Sequence, residues 1–224
     1  MQYFTPAFVT FFKELGANNN KEWFDANRKR YEKEVKKPFE RFVGDLIAEM
    51  RKNEPELLCE PKDCIFRINR DIRFSKDKTP YKVQVSALIA PRGRKHMDYP
   101  GLYLELTPEH IGIYGGLYMP DKSLLADVRD HIADHLEAFK KAYSDPQFLK
   151  FYGGLKGEKN KRLDKHLAAA AEVEPLLFNK QFYYQANLPA TQITQEALLQ
   201  NVLKYYEASA QIREFFRDAT GQNI

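Results

Sequence analysis

Cysteine is scarce in this sequence: Cys59 and Cys64 are the only two, with four residues between them. That spacing is neither a CxxC redox pair nor a zinc knuckle, so neither a disulfide framework nor a bound metal is expected, and reduced thiols in a cytoplasm are the simplest reading. Long apolar runs are missing too. Nothing approaches the roughly 18 uninterrupted apolar residues of a membrane span, and the mean hydropathy is −0.59, so no membrane partner is expected. The opening stretch MQYFTPAFVTFF has no basic leader and no small-residue cleavage site, and Lys13 and Glu14 follow at once; it reads as a helix start and not a signal peptide. There is no low-complexity tract and no Ser/Gly linker, which favours one domain over residues 1–224. Strong charge of either sign is also absent, since the net charge is +4 and the pI near 8.8. A nucleic-acid binder more often carries a broad basic stripe and a pI above about 9.

Aromatic residues are abundant: 16 Phe and 13 Tyr with a single Trp, enough to build much of a core. The first 53 residues have helical spacing. Thr5-Pro6 is a cap followed by proline at the first helical position, Phe8, Phe11, Phe12 and Leu15 share a face, and Gly16 stops the helix. Asn19 with Glu22 predicts a capping box for a second helix carrying Trp23, Phe24, Asn27, Tyr31 and Val35. Pro38 opens a third, with Phe39, Phe42, Val43, Leu46, Ile47 and Met50.

From Ile65 the period changes to two. Phe66, Ile68, Ile72 and Phe74 predict one side of a strand, and Arg67, Asn69, Asp71 and Arg73 the other. After a Thr79-Pro80 turn, Tyr81, Val83, Val85, Ala87 and Ile89 predict a second strand, Leu102, Leu104 and Leu106 a third, and Ile111 to Tyr114 a fourth, ended by Gly115-Gly116. Helices return afterwards: a long one from Leu124 to Tyr143, a short one from Pro146, and a last pair capped by Thr194. The run from Leu176 to Tyr184 fits a strand or a short helix. Helices, then strands, then helices is the α+β pattern, here an antiparallel β-meander packed with N- and C-terminal helices.

The chain's charge excess is local. Residues 66–82, FRINRDIRFSKDKTPYK, hold six bases (Arg67, Arg70, Arg73, Lys76, Lys78, Lys82) and two acids (Asp71, Asp77), an excess of +4 that leaves the rest of the chain neutral. Arg70 falls on the apolar side of the predicted strand. A guanidinium there needs a partner, because burying it alone is very costly; a bulge, a carboxylate or a ligand anion would serve. The functional reading is an anion clamp of Arg67, Arg70, Arg73 and Lys78, oriented by Asp71 and Asp77, with Tyr81 adding a hydroxyl. Trp23 and Asn27, on one helix face with Tyr31, are candidates to stack on and hydrogen-bond a ligand. The competing reading is a salt-bridge network that only fixes the fold.

This segment resembles the signature of a bacterial family catalogued as domain of unknown function 2461, whose form Arg-x-x-Arg-Asp-x-Arg-Phe, then Asp-Lys-x-x-Tyr, is matched by Arg67, Arg70, Asp71, Arg73, Phe74, Asp77, Lys78 and Tyr81. The stretch NNNKEWFDANRKRYEKEVKKPF and the run GGLYMP at 115–120 are similar to the same family. The resemblance implies no activity.

Other signals are weaker. His131 and His135 have the spacing of a helical metal pair, but DHIADH is not HExxH and reads as a solvated flank. His96, after RGRK, is the one histidine placed as an acid/base candidate; His110 and His166 give no signal. No catalytic constellation is recognisable, so no cofactor or catalytic residue is assigned; for an enzyme, Asp71 would be the general base to test. The expectation is a compact phosphate- or carboxylate-bearing small molecule as ligand, with a nucleic-acid-associated module or a non-catalytic interaction protein as alternatives.

Overall fold

The structure, a computed structural model, describes residues 1–222. Its elements run α1 (Pro6–Ala17), α2 (Lys21–Ala26), α3 (Arg28–Arg30), a π-helical stretch (Tyr31–Lys36), α4 (Lys37–Met50), α5 (Pro61–Cys64), β1 (Val85–Ile89), β2 (Leu102–Leu106) and β3 (His110–Leu117). There follow α6 (Lys122–Asp134), α7 (Leu136–Tyr143), α8 (Pro146–Tyr152), α9 (Ala168–Val173), β4 (Phe182–Pro189), α10 (Leu198–Ala208) and α11 (Ala210–Ala219). The four strands form one antiparallel sheet in the order β1-β2-β3-β4. The fold is α+β, with β4 joining the meander from beyond four helices.

The chain divides into two compact units, each assembled from separate segments. The first comprises Met1–Lys95, Tyr103–Ile113 and Asn187–Leu203. Its core is the aromatic face of α1 (Phe8, Phe11, Phe12, Leu15) and the apolar face of α4 (Phe39, Phe42, Val43, Leu46, Ile47, Met50), all buried as their spacing requires. The cap of α2 is Asn20 and not Asn19: the Asn20 side chain accepts from the Trp23 N–H at 2.9 Å. Asn27 ends that helix, so Trp23 and Tyr31 do not share one continuous helical face. The chain re-enters through α3 and the π-helical stretch. Pro38, at the start of α4, has no N–H to donate, and the stretch just before it is π-helical.

The second unit comprises His96–Leu102, Tyr114–Ala186 and Lys204–Ile224. Its core is built on Phe139, Phe148, Tyr152, Phe182, Tyr184, Phe215 and Phe216. Here the predicted helix from Leu124 to Tyr143 is two helices, broken at His135, which leaves helical geometry at φ −128°. His131 is not a solvated flank; its ring lies edge-on to Phe215 at 5.0 Å and against His135 at 4.4 Å. The ambiguous stretch holds both alternatives, a 3₁₀ turn at Pro175–Phe178 and then β4. β3 runs through Gly115-Gly116 to Leu117 instead of ending there. Thr194 is not a helix cap, since α10 begins at Leu198.

Candidate anion site

Residues 65–87 form an irregular hairpin and not two regular strands. Ile65 bridges Ala87 and Asn69 bridges Tyr81, both antiparallel, so the returning chain carries two additional residues between the bridges. The register slips at Val83 and Gln84, opposite Arg67. Such a bulge re-aims side chains, and Val83 is accordingly exposed despite its place in the apolar alternation. Backbone bonds hold the hairpin on either side: Phe66 N–H to the Ser86 carbonyl (2.9 Å), Lys82 N–H to that of Ile68 (2.8 Å) and Arg70 N–H to that of Pro80 (2.8 Å). Past Arg70 the predicted strand is a loop. Phe74, expected on its core side, is 95% exposed.

The N-terminal helices anchor the hairpin at Tyr81. The Asn19 amide donates to the Tyr81 carbonyl (2.9 Å) and accepts from the Tyr81 N–H (3.1 Å), satisfying both backbone groups of one buried residue. The Tyr81 ring stacks on Phe24 at 4.1 Å, and the Arg28 guanidinium lies 5.4 Å from the Phe24 ring centre. Tyr81 is thus a packing residue of this hairpin.

Half of the predicted clamp, Arg70 and Arg73, is neutralised within its own loop. Arg70, whose side chain is 25% exposed, bonds Asp77, the Thr79 hydroxyl and, at 3.4 Å, Ser75 Oγ. Its placement therefore has the explanation the broken alternation asked for: a carboxylate meets it, from seven residues on. The Thr79 backbone N–H and the Arg70 guanidinium hold the Asp77 carboxyl down at a pKa of about 2. Arg73 grips Asp71 through two bonds, Nε at 3.0 Å and an Nη at 2.7 Å, and Lys78 donates to the Ile72 carbonyl at 2.9 Å. The same Arg73 contact keeps the Asp71 carboxyl below the ordinary range, which makes it a weak proton acceptor and removes the argument for it as a general base. Trp23 packs on Phe11 at 5.6 Å. Asn27 is occupied locally, donating to the Trp23 carbonyl and accepting from Arg30, both at 3.0 Å.

Arg67, Lys76, Lys78 and Lys82 make no ion pair among the described residues. Lys82 is the unusual one. Half-buried, with its Nζ 5.3 Å from the Phe66 ring centre, it has a pKa lowered first by desolvation and then by the Arg67 charge. The two cations repel each other, and one of them is partly stripped of water.

Beside them lies a polar cluster that sequence reasoning passed over. The Phe66 ring is 6.0 Å from that of Tyr103. The largely buried Glu105 carboxylate accepts from Gln84 Nε2 (2.9 Å) and the Tyr103 hydroxyl (3.4 Å), and His110 Nε2 is 3.4 Å away. Burial raises the Tyr103 pKa. The signal was present in β2, where Tyr103 and Glu105 alternate with buried Leu102, Leu104 and Leu106 and so must share the other face.

The family described as "Conserved hypothetical protein (DUF2461)" matches residues 7–215. The chain belongs to this DUF2461 family. Nothing in the search of curated proteins matches it, and no solved structure does. Matched residues in this DUF2461 chain include the whole 66–82 hairpin, Asn19 and the Glu105 cluster. His96, in the second unit, is buried with its ring 5.0 Å from that of Tyr99. Among the described residues no three His, Cys, Asp or Glu side chains are grouped to hold a metal ion, and no helix is long and apolar enough to cross a membrane.

Proposed function

We propose that this protein binds a compact phosphate- or carboxylate-bearing small molecule, with the anionic group seated between Arg67 and Lys82. One observation carries the reading: the Lys82 ammonium is desolvated and repelled by Arg67, and neither makes an ion pair among the described residues. An anion between them cancels the repulsion and replaces lost solvation, so binding energy is stored in the unliganded site. Phe66 gives the ligand an apolar wall. Tyr103, Gln84 and Glu105, hydrogen-bonded to one another, form a polar wall beyond it. Arg70 and Arg73, already ion-paired, shape the loop and do not supply the charge, and Lys78 is held on the Ile72 carbonyl.

Inorganic phosphate and a dicarboxylate, titrated calorimetrically into wild type and single variants, test this. Arg67→Gln and Lys82→Gln should each lose most of the binding, about tenfold or more for one charge-assisted contact, while Arg73→Gln keeps it. Equal losses in all three would return the charge to the whole loop.

A second reading rests on Phe74, an exposed ring at the loop tip with the Arg73 guanidinium 5.8 Å from its centre. An exposed aromatic beside a cation is the element by which single-stranded nucleic acid is stacked. Affinity for an oligonucleotide that falls steeply with salt and disappears in Phe74→Ala would favour it over the small anion.

A further inference from the structure

The ten residues from Arg28 to Lys37, RKRYEKEVKK, hold six bases and two acids, an excess of +4 equal to that of the hairpin. Their two acids are both spoken for. Glu34 lies 3.7 Å from Arg30, which also pairs with Glu14 at 2.7 Å, and Glu32 accepts from Lys36 at 3.2 Å. Lys29, Lys33 and Lys37 remain, and they make no ion pair among the described residues. They stand four residues apart, so each meets the next as a like charge, an arrangement that disfavours a helix.

A depression of about 350 Å³, the volume of a small-molecule site, is lined by Arg28, Lys29, Glu32, Lys33 and Lys37. The π-helical stretch Tyr31–Lys36 gathers them. In a π-turn residues five apart succeed one another along the axis, which brings Lys37 into line with Glu32 and onto the same wall as Lys29 and Lys33. Such widened turns are frequent at functional sites. Four cations against one carboxylate leave this wall at +3. Arg28 is engaged by Asp25 and Glu32 by Lys36, so the uncompensated charge is that of the three lysines.

We propose that this depression is a second anion site, separate from the hairpin, and that it takes a polyphosphate group laid along the row of lysines. Length decides the ligand class. From Lys29 to Lys37 is eight residue steps, about 12 Å of helix axis at most. A single phosphate or carboxylate does not reach all three ammoniums, whereas a chain of phosphates meets them in turn. Lysine suits this role, because its ammonium is a mobile point charge that accepts phosphate oxygens from many directions. A polyanion also replaces the repulsion along the row with a shared attraction.

The test titrates tripolyphosphate, adenosine triphosphate and inorganic phosphate calorimetrically into the full chain carrying Arg67→Gln and Lys82→Gln, so that the hairpin does not contribute. Tripolyphosphate should bind about tenfold or more tightly than inorganic phosphate. Adding Lys33→Gln should weaken it about threefold or more, and adding Lys29→Gln, Lys33→Gln and Lys37→Gln together should abolish it. Lys165→Gln, which removes an exposed lysine of the second unit and the same net charge, should leave it unchanged. Adenosine triphosphate binding as well as tripolyphosphate or better supports a nucleotide-borne chain; weaker binding supports free polyphosphate. Unliganded Lys33→Gln should melt no lower than its parent, because it relieves two like-charge contacts. Equal losses with Lys165→Gln, or tripolyphosphate bound no more tightly than inorganic phosphate, overturn the site. So does a single-stranded oligonucleotide that binds there more tightly than either triphosphate. If the wild-type hairpin binds no inorganic phosphate, the earlier reading falls alone, and the lysine variants still decide this one.

Discussion

Asn19 joins the N-terminal helices to the candidate site through two hydrogen bonds to the backbone of one buried residue, Tyr81. Asn19→Ala removes both and leaves the Tyr81 N–H and carbonyl without their partner. At about 1 kcal/mol for each bond, the loss is about 2 kcal/mol. For a chain of this size that lowers Tm by about 4–8 °C. Thermal unfolding by circular dichroism measures it, with phosphate stabilisation as a second readout because Tyr81 precedes Lys82. Asn19→Asp sharpens the test. Its carboxylate still accepts from the Tyr81 N–H but sets a negative oxygen against the Tyr81 carbonyl, so at neutral pH it should destabilise at least as much as alanine. Protonation restores a donor, which raises the folded-state pKa above the unfolded value of about 3.9. The recovered stability is therefore fully present below about 3.9 and lost as pH rises through the folded-state value. An Asn19→Ala variant melting within about 1 °C of wild type would refute the anchoring of Tyr81 by Asn19.

Further outcomes follow from the same geometry. Lys82→Met should raise the stability of the unliganded protein while abolishing stabilisation by phosphate: the folded state lowers the Lys82 pKa, so its charge destabilises at neutral pH and wild-type stability rises with pH toward the ordinary lysine value of about 10.4. Denaturant unfolding with and without phosphate checks both halves. The Asp77 contribution to the loop is present above the unfolded carboxyl pKa and lost as pH falls through about 2, so a carboxyl-resolved NMR titration should find Asp77 among the last carboxyls to protonate. Gly93→Ala should cost about 2 kcal/mol or more, because Gly93 is at φ +59° and a Cβ there would collide with the Asp63 carbonyl, and a lowered denaturation midpoint would record it.

The helices of the first unit were legible because their apolar residues recur on one face, and every residue of the α1 and α4 stripes is buried. β2 and β3 were legible by alternation. The 66–82 hairpin was not, for a physical reason. Polarity records which residues are apolar but not where the register slips, and Val83 and Phe74 are apolar residues that a bulge and a loop leave exposed. The need of Arg70 for a partner was readable from the sequence, as was Asp77 as a carboxylate orienting the cations; that these two would meet through a loop closing on itself was not. The shift of the candidate charge from Arg70, Arg73 and Lys78 to Arg67 and Lys82 depends on who pairs with whom, which only the folded backbone specifies. The break at His135 had no apolar signature, since the spacing of Ile132, Leu136 and Phe139 continues across it.

On the proposed reading, Lys82 and Arg67 are the cations that hold the anion. The most direct measurement is the titration of Lys82 by NMR of its side-chain carbons, with and without inorganic phosphate. The account predicts a Lys82 pKa below the ordinary lysine range that rises when phosphate binds, and no such rise in Arg67→Gln. An ordinary Lys82 pKa, unmoved by phosphate, would contradict it.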